Sequence, residues 1–70
     1  MSGRPVKRSV TLRGHRTSVS LEAEFWEAFR QIAAERGMAV NALAAEIDAG
    51  RADVGLASAI RVFVLETLRR

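Results

Sequence analysis

Residues 8–21 read Arg8-Ser9-Val10-Thr11-Leu12-Arg13-Gly14-His15-Arg16-Thr17-Ser18-Val19-Ser20-Leu21. On both sides of Gly14, β-branched and apolar residues alternate with polar ones, the period-two pattern of a half-buried strand. The parity does not carry through. Val10 and Leu12 occupy even positions, Val19 and Leu21 odd ones. Side chains of a strand alternate between faces, so one continuous strand cannot bury both pairs. A bulge, a turn or a loss of order is required at Gly14.

Beyond this stretch the period changes to that of a helix. Phe25, Phe29, Ile32, Ala33 and Arg36 recur at i, i+4, i+7, i+8 and i+11, Trp26 widens the stripe, and a helix over 22–36 is predicted. Glu22, Glu24 and Glu27 crowd its first turns, where the helix dipole favours negative charge and a solvated start is expected. Gly37 suits the position just past the last turn. Val40, Leu43, Ala44 and Ile47 mark a second helix over 40–49. Residues 49–55 form a connection bounded by Gly50 and Gly55. Ile60, Phe63, Val64, Thr67 and Leu68 mark a third helix over 57–69, ending at Arg69-Arg70. At helical spacing, Phe25, Trp26, Phe29 and Phe63 read as core rather than as a ligand pocket.

The charge is split along the chain. Residues 1–20 contain Arg4, Lys7, Arg8, Arg13 and Arg16 and no acid, whereas the rest carries a small negative excess; the whole is +3. A basic front on a slightly acidic body points to a polyanionic partner. Seventy residues allow one domain, and a chain this small often completes its core by oligomerising. Without cysteine there is no disulfide and no thiolate metal site, and the single His15 builds no zinc site alone. No cofactor or metal is expected. No apolar run approaches ~18 residues, so no membrane span is expected. The basic N-terminus lacks an apolar signal core, and a cytoplasmic protein is expected. No nucleophile–base pair stands out, so no enzyme activity is expected.

An isolated strand needs a ladder partner for its backbone groups. The nearest candidate for residues 16–21 is the same strand of a second copy, paired antiparallel. A two-stranded β-ribbon is one of the elements that fit a DNA major groove. In this order and spacing, residues 15–48 resemble the ribbon-helix-helix DNA-binding proteins, bacterial and phage regulators such as the Arc and methionine repressors. The matching features are the strand of period two, the helix closing with Ala34-Glu35-Arg36-Gly37, and the following Val40-Asn41-Ala42-Leu43.

The resemblance implies an α+β, mostly α fold: a ribbon-helix-helix with an intermolecular two-stranded antiparallel ribbon, here with an additional C-terminal helix. It implies that Arg16, Ser18 and Ser20, on the outer face of the ribbon, contact bases, while Thr17, Val19 and Leu21 face the helices. Arginine suits bidentate contact with guanine, and serine donates or accepts. It also implies a phosphate held at the start of the second helix by the amides around Ala39, Val40 and Asn41. Ala39 departs from the family, which usually has Ser or Thr there. The family's second helix falls on 40–49; residues 57–69 resemble it as well, and in that case 38–55 is an insertion.

Residues 1–13 have two readings. As a basic, partly flexible arm, they add phosphate contacts from Arg4, Lys7, Arg8 and Arg13, and residues 14–70 form the ribbon-helix-helix domain with its third helix. As a strand, they form a hairpin through a two-residue turn at Gly14-His15, type II′, with 12 opposite 17 and 10 opposite 19. That resolves the parity, but a dimer then presents four strands, too wide for a groove of ~12 Å. The arm is the preferred reading.

The function expected is a sequence-specific DNA-binding transcriptional regulator, a repressor, acting as a homodimer or as a dimer of dimers on DNA. Alternatives are a DNA-binding antitoxin that masks a protein partner through residues 56–70, and a dimeric protein–protein adaptor without DNA binding.

Overall fold

The computed structural model describes residues 3–70. The chain reverses at Arg13-Gly14, both with positive φ, 54° and 87°. Positive φ at both central residues is the signature of a type I′ turn, whose twist matches that of the flanking strands. Strand β1 (Pro5–Leu12) therefore pairs antiparallel with β2 (His15–Glu22). The register sets Leu12 opposite His15, Val10 opposite Thr17, Arg8 opposite Val19 and Val6 opposite Leu21. Val6, Val10 and Leu12 now share one face with Thr17, Val19 and Leu21, which answers the parity conflict at Gly14 by reversing the chain.

Residues 5–12, expected as a partly flexible arm, are instead a paired strand, and the two strands of the described ribbon belong to one chain. Met1 and Ser2 of the expected arm lie outside the described residues. The strand is held by more than its ladder: the Trp26 indole N–H donates to the Val6 carbonyl at 2.8 Å, and Val10 is buried. The turn also lies one residue earlier than Gly14-His15. That shifts the register by two, an even number, so every side chain keeps its expected face. Arg13 gives no sequence hint of a left-handed conformation, which for a side-chain-bearing residue costs about 1–2 kcal/mol.

Helix α1 (Ala23–Glu35) buries Trp26, Phe29, Ile32 and Ala33. It closes on Gly37, φ 68°: Gly37 N–H donates to Ala34 C=O at 3.0 Å and Met38 N–H to Ala33 C=O at 2.9 Å. This pair of bonds is the Schellman arrangement that satisfies orphan carbonyls at a helix end. Helix α2 (Val40–Gly50) contributes Leu43 and Ala44 to the core, and α3 (Leu56–Leu68) contributes Ile60 and Val64. Arg51 braces the connection between them, bonding Asp48 Oδ1 at 2.6 Å and the Val54 carbonyl at 2.7 Å.

All three helices lie on the apolar face of the hairpin, where Val10, Val19 and Leu21 meet them. Phe29 sits at the centre, fully buried, with the rings of Trp26 and Phe63 edge-on to it at 6.4 Å each. The α+β, mostly α architecture with a third helix is the one the sequence implies. Among the described residues no helix covers the opposite face of the hairpin.

Candidate nucleic-acid interface

The uncovered face of the hairpin carries two rows of side chains. Lys7 stands opposite Ser20, Ser9 opposite Ser18, and Thr11 opposite Arg16. Arg16, Ser18, Lys7, Ser9 and Thr11 are exposed, and Ser20 is half-buried. The structure thus brings Arg16, Ser18 and Ser20 together on the outer face, with Lys7 beside them. Ser9 and Thr11 were not singled out by their sequence; their place becomes visible only when the register with 16–20 is known.

The one carboxylate of this face is Glu22, opposite Pro5 at its inner end. It is not a solvated start of α1. Arg61 of α3 donates through Nε to its Oε1 at 3.0 Å, and through Nη2 to the Ser20 carbonyl at 3.3 Å. The Arg61 hydrogen bond, helped by Glu22's own backbone amide, holds the Glu22 carboxyl below its ordinary value. The negative charge is therefore matched locally, and the rest of the face is cationic and hydroxylic.

A lowered carboxyl pKa in the folded state contributes stability that is fully present above the group's unfolded value. It is lost as pH falls through the folded value. Replacing Glu22→Gln is expected to flatten the acid limb of the stability curve. Thermal midpoints of both proteins from about pH 7 to about pH 3 check this, and parallel curves would show that the pair adds nothing.

The remaining basic residues do not form one patch. Arg13 is exposed at the turn and Arg4 precedes β1. Arg8 lies on the helix-facing side, its guanidinium 6.0 Å from the centre of the Trp26 ring. It is set apart from Lys7 and Arg16 by the thickness of the ribbon.

The start of α2 lies against the edge of β1. In a hairpin closed by a two-residue loop, alternate residues point their backbone groups away from the partner strand. Thr11 is one of these, and its N–H donates to Asn41 Oδ1 at 3.1 Å. The Asn41 side chain is thus neither a local cap nor free. Ala39 is the cap position with no side-chain bond, and the first helical bond runs from Leu43 N–H to Ala39 C=O at 3.1 Å. The amides of Val40, Asn41 and Ala42 precede that bond and have no carbonyl within the helix to receive them. The start of α2, with these amides, therefore flanks the ribbon at Thr11.

Away from the ribbon, α3 leaves Val62, Leu65 and Leu68 exposed by 52%, 51% and 66%. Among the described residues no cluster of His, Cys, Asp or Glu could hold a metal ion. No helix is long and apolar enough to cross a membrane.

The family model described as a ribbon-helix-helix domain matches residues 5–68. That match takes in both strands of the hairpin and all three helices. The chain matches no curated protein and no solved structure.

Proposed function

The chain belongs to the ribbon-helix-helix domain family, and from that premise we propose that it is a sequence-specific DNA-binding regulator, a cytoplasmic repressor, that lays the outer face of its hairpin in the major groove. The observation that carries this reading is the composition of that face. Two rows of short hydroxylic side chains, with Arg16 and Lys7, stand on the paired ribbon, and the one acid is neutralised by Arg61. Two strands about 4.8 Å apart fit a groove about 12 Å wide.

In this arrangement Arg16 makes a bidentate contact to guanine, and Ser18 and Ser20 read neighbouring base edges. The edges of the ribbon face the walls of the groove, which are phosphates. The amides of Ala39, Val40 and Asn41 flank one edge and take a phosphate there. Arg4, Lys7 and Arg13 add ionic contacts around the ribbon.

We place the homodimer contact on α3 rather than on the ribbon. Proteins of this family typically bind DNA as dimers, and Val62, Leu65 and Leu68 form an apolar face without cover. Pairing two hairpins along β2 instead would set the outer strands about 14 Å apart, before side chains are counted, wider than the groove.

The test is titration against operator-containing and random duplexes at low salt. Arg16→Ala is expected to lose about tenfold or more in preference at one base pair, whereas Arg13→Ala weakens all duplexes alike. No binding to any duplex at low salt would sink the proposal. That outcome would favour a second reading, to which the hairpin and the bare face of α3 also lend support: a dimeric adaptor that binds only proteins. A DNA-binding antitoxin would instead retain the DNA contacts and co-purify with a small partner held through residues 56–70.

A further inference from the structure

The geometry points to a binding site for an amphiphilic monocation, an ammonium or guanidinium head on a hydrocarbon body, in the groove between α2 and α3. The inference stands apart from the DNA-binding proposal and needs neither the hairpin nor a nucleic acid.

Three observations lead to it. First, α2, α3 and the connection between them form an open groove of about 550 Å³. Small-molecule sites measure about 300–1,000 Å³ and are mostly apolar, with a few placed polar groups. The floor here is apolar: Leu43 is buried, and Ile47 and Phe63 are half-buried. Val54 and Val62 stand exposed at its sides. Second, the connecting wall is braced. Arg51 bonds Asp48 Oδ1 at 2.6 Å and the Val54 carbonyl at 2.7 Å, which ties the connection to the end of α2. A wall already held in place lowers the ordering cost of binding. Third, the rim is acidic. Glu46 of α2 and Glu66 of α3 line the groove and are exposed. Among the described residues the ion pairs are those of Arg51 with Asp48 and Arg61 with Glu22, so neither rim carboxylate is matched. Arg51, the basic residue that lines the groove, is already engaged, and Arg69 and Arg70, one turn beyond Glu66, do not pair with it.

An apolar floor beneath two unmatched carboxylates selects ligands by the charge of the head. A hydrocarbon body gains from burial on the floor whatever head it carries. A cationic head adds attraction to Glu46 and Glu66, and an anionic head is repelled. Exposed ion pairs of this kind are worth up to about fivefold in affinity each. The dimer contact placed above on α3 shares only Val62 with the groove; Leu65 and Leu68 do not line it.

The experiment is an NMR titration of the full, isotope-labelled chain with n-octylammonium, 1-octanol and n-octanoate near neutral pH. Saturable amide shifts are expected at Ile47, Val54, Val62 and Phe63. n-Octylammonium is expected to bind about fivefold or more tighter than 1-octanol, and n-octanoate more weakly than either. Raising the salt concentration is expected to shrink that preference. Glu46→Gln combined with Glu66→Gln is expected to abolish it while leaving 1-octanol binding unchanged. Ala59→Leu, which puts a larger side chain into the groove, is expected to weaken all three ligands; far-UV circular dichroism and melting confirm that the variants are folded. A ligand of the native state raises the melting midpoint. A fall in the midpoint, with shifts spread over the whole chain, would mark n-octylammonium as a denaturant and overturn the inference. Equal affinity for the three heads would overturn it as well. Shifts at the groove that follow protein concentration without ligand would seat a second copy there, and no saturable binding would leave the groove to a protein partner; either result overturns the inference and leaves the DNA-binding reading untouched.

Discussion

Phe29→Ala is expected to destabilise the domain by about 3–5 kcal/mol, enough to leave much of the protein unfolded at room temperature. Phe29 is fully buried at the point where the hairpin and α1 meet α3. Its ring takes the edges of Trp26 and Phe63, so truncation removes two aromatic contacts as well as the burial of the ring itself. The surrounding elements are cross-tied by Trp26 to Val6 and Arg61 to Ser20, which limits how far they can close on the cavity. A single core in a chain of this size rarely supplies more than about 3–5 kcal/mol, so the loss is comparable to the whole. Urea unfolding followed by tryptophan fluorescence gives the number directly. A shift worth less than about 1 kcal/mol would mean that the core does not depend on this ring.

The second large effect concerns salt. Each phosphate neutralised by a basic side chain adds about −0.9 to the slope of log K against log salt. With Arg4, Lys7 and Arg13 on phosphates and Arg16 on a base, one chain should show a slope near about −2.7, so affinity falls about 40-fold between about 50 and 200 mM salt. A dimer with both ribbons engaged should show about twice that slope. Arg13→Ala should reduce the slope by about one. Arg8→Ala should leave it unchanged, because Arg8 lies over Trp26 on the other side of the ribbon. Filter-binding or anisotropy titrations across that range distinguish the two arginines, which their sequence alone treats alike.

Much of the fold is legible in the chain because its signals are local. The alternation at Thr17, Val19 and Leu21 marks β2, Phe29, Ile32 and Ala33 mark the buried stripe of α1, and Gly37 ends that helix as its position suggests. The even–odd break at Gly14 requires a bulge, a turn or a loss of order, but does not say which. Turn chemistry gives no warning, since Arg13 takes a conformation usually left to Gly or Asn. What ties the hairpin to the helices lies far away in sequence. Asn41 bonds Thr11 across 30 residues, and Arg61 reaches Glu22 across 39. Periodicity carries no information about such pairs, so Glu22 reads as a solvated helix start and the bond from Asn41 to β1 is not foreseen. The outer positions of Arg16, Ser18 and Ser20 are legible because strand parity alone sets them. Ser9 and Thr11 join them only through the register.

A ribbon contributed by two identical chains has a two-fold axis through its centre, and what it reads is obliged to be a palindrome there. The hairpin formed by one chain has no such axis. One strand presents Lys7, Ser9 and Thr11 and the other Arg16, Ser18 and Ser20, so its two edges are chemically different. If the hairpin enters the groove as proposed, half a turn would bring the wrong groups to the same bases. A single substitution on it would then change one place in the footprint instead of two mirrored ones, and the sequence under each hairpin would be free to be directional. Symmetry in such an operator would belong to the spacing between two hairpins and not to the bases beneath either one.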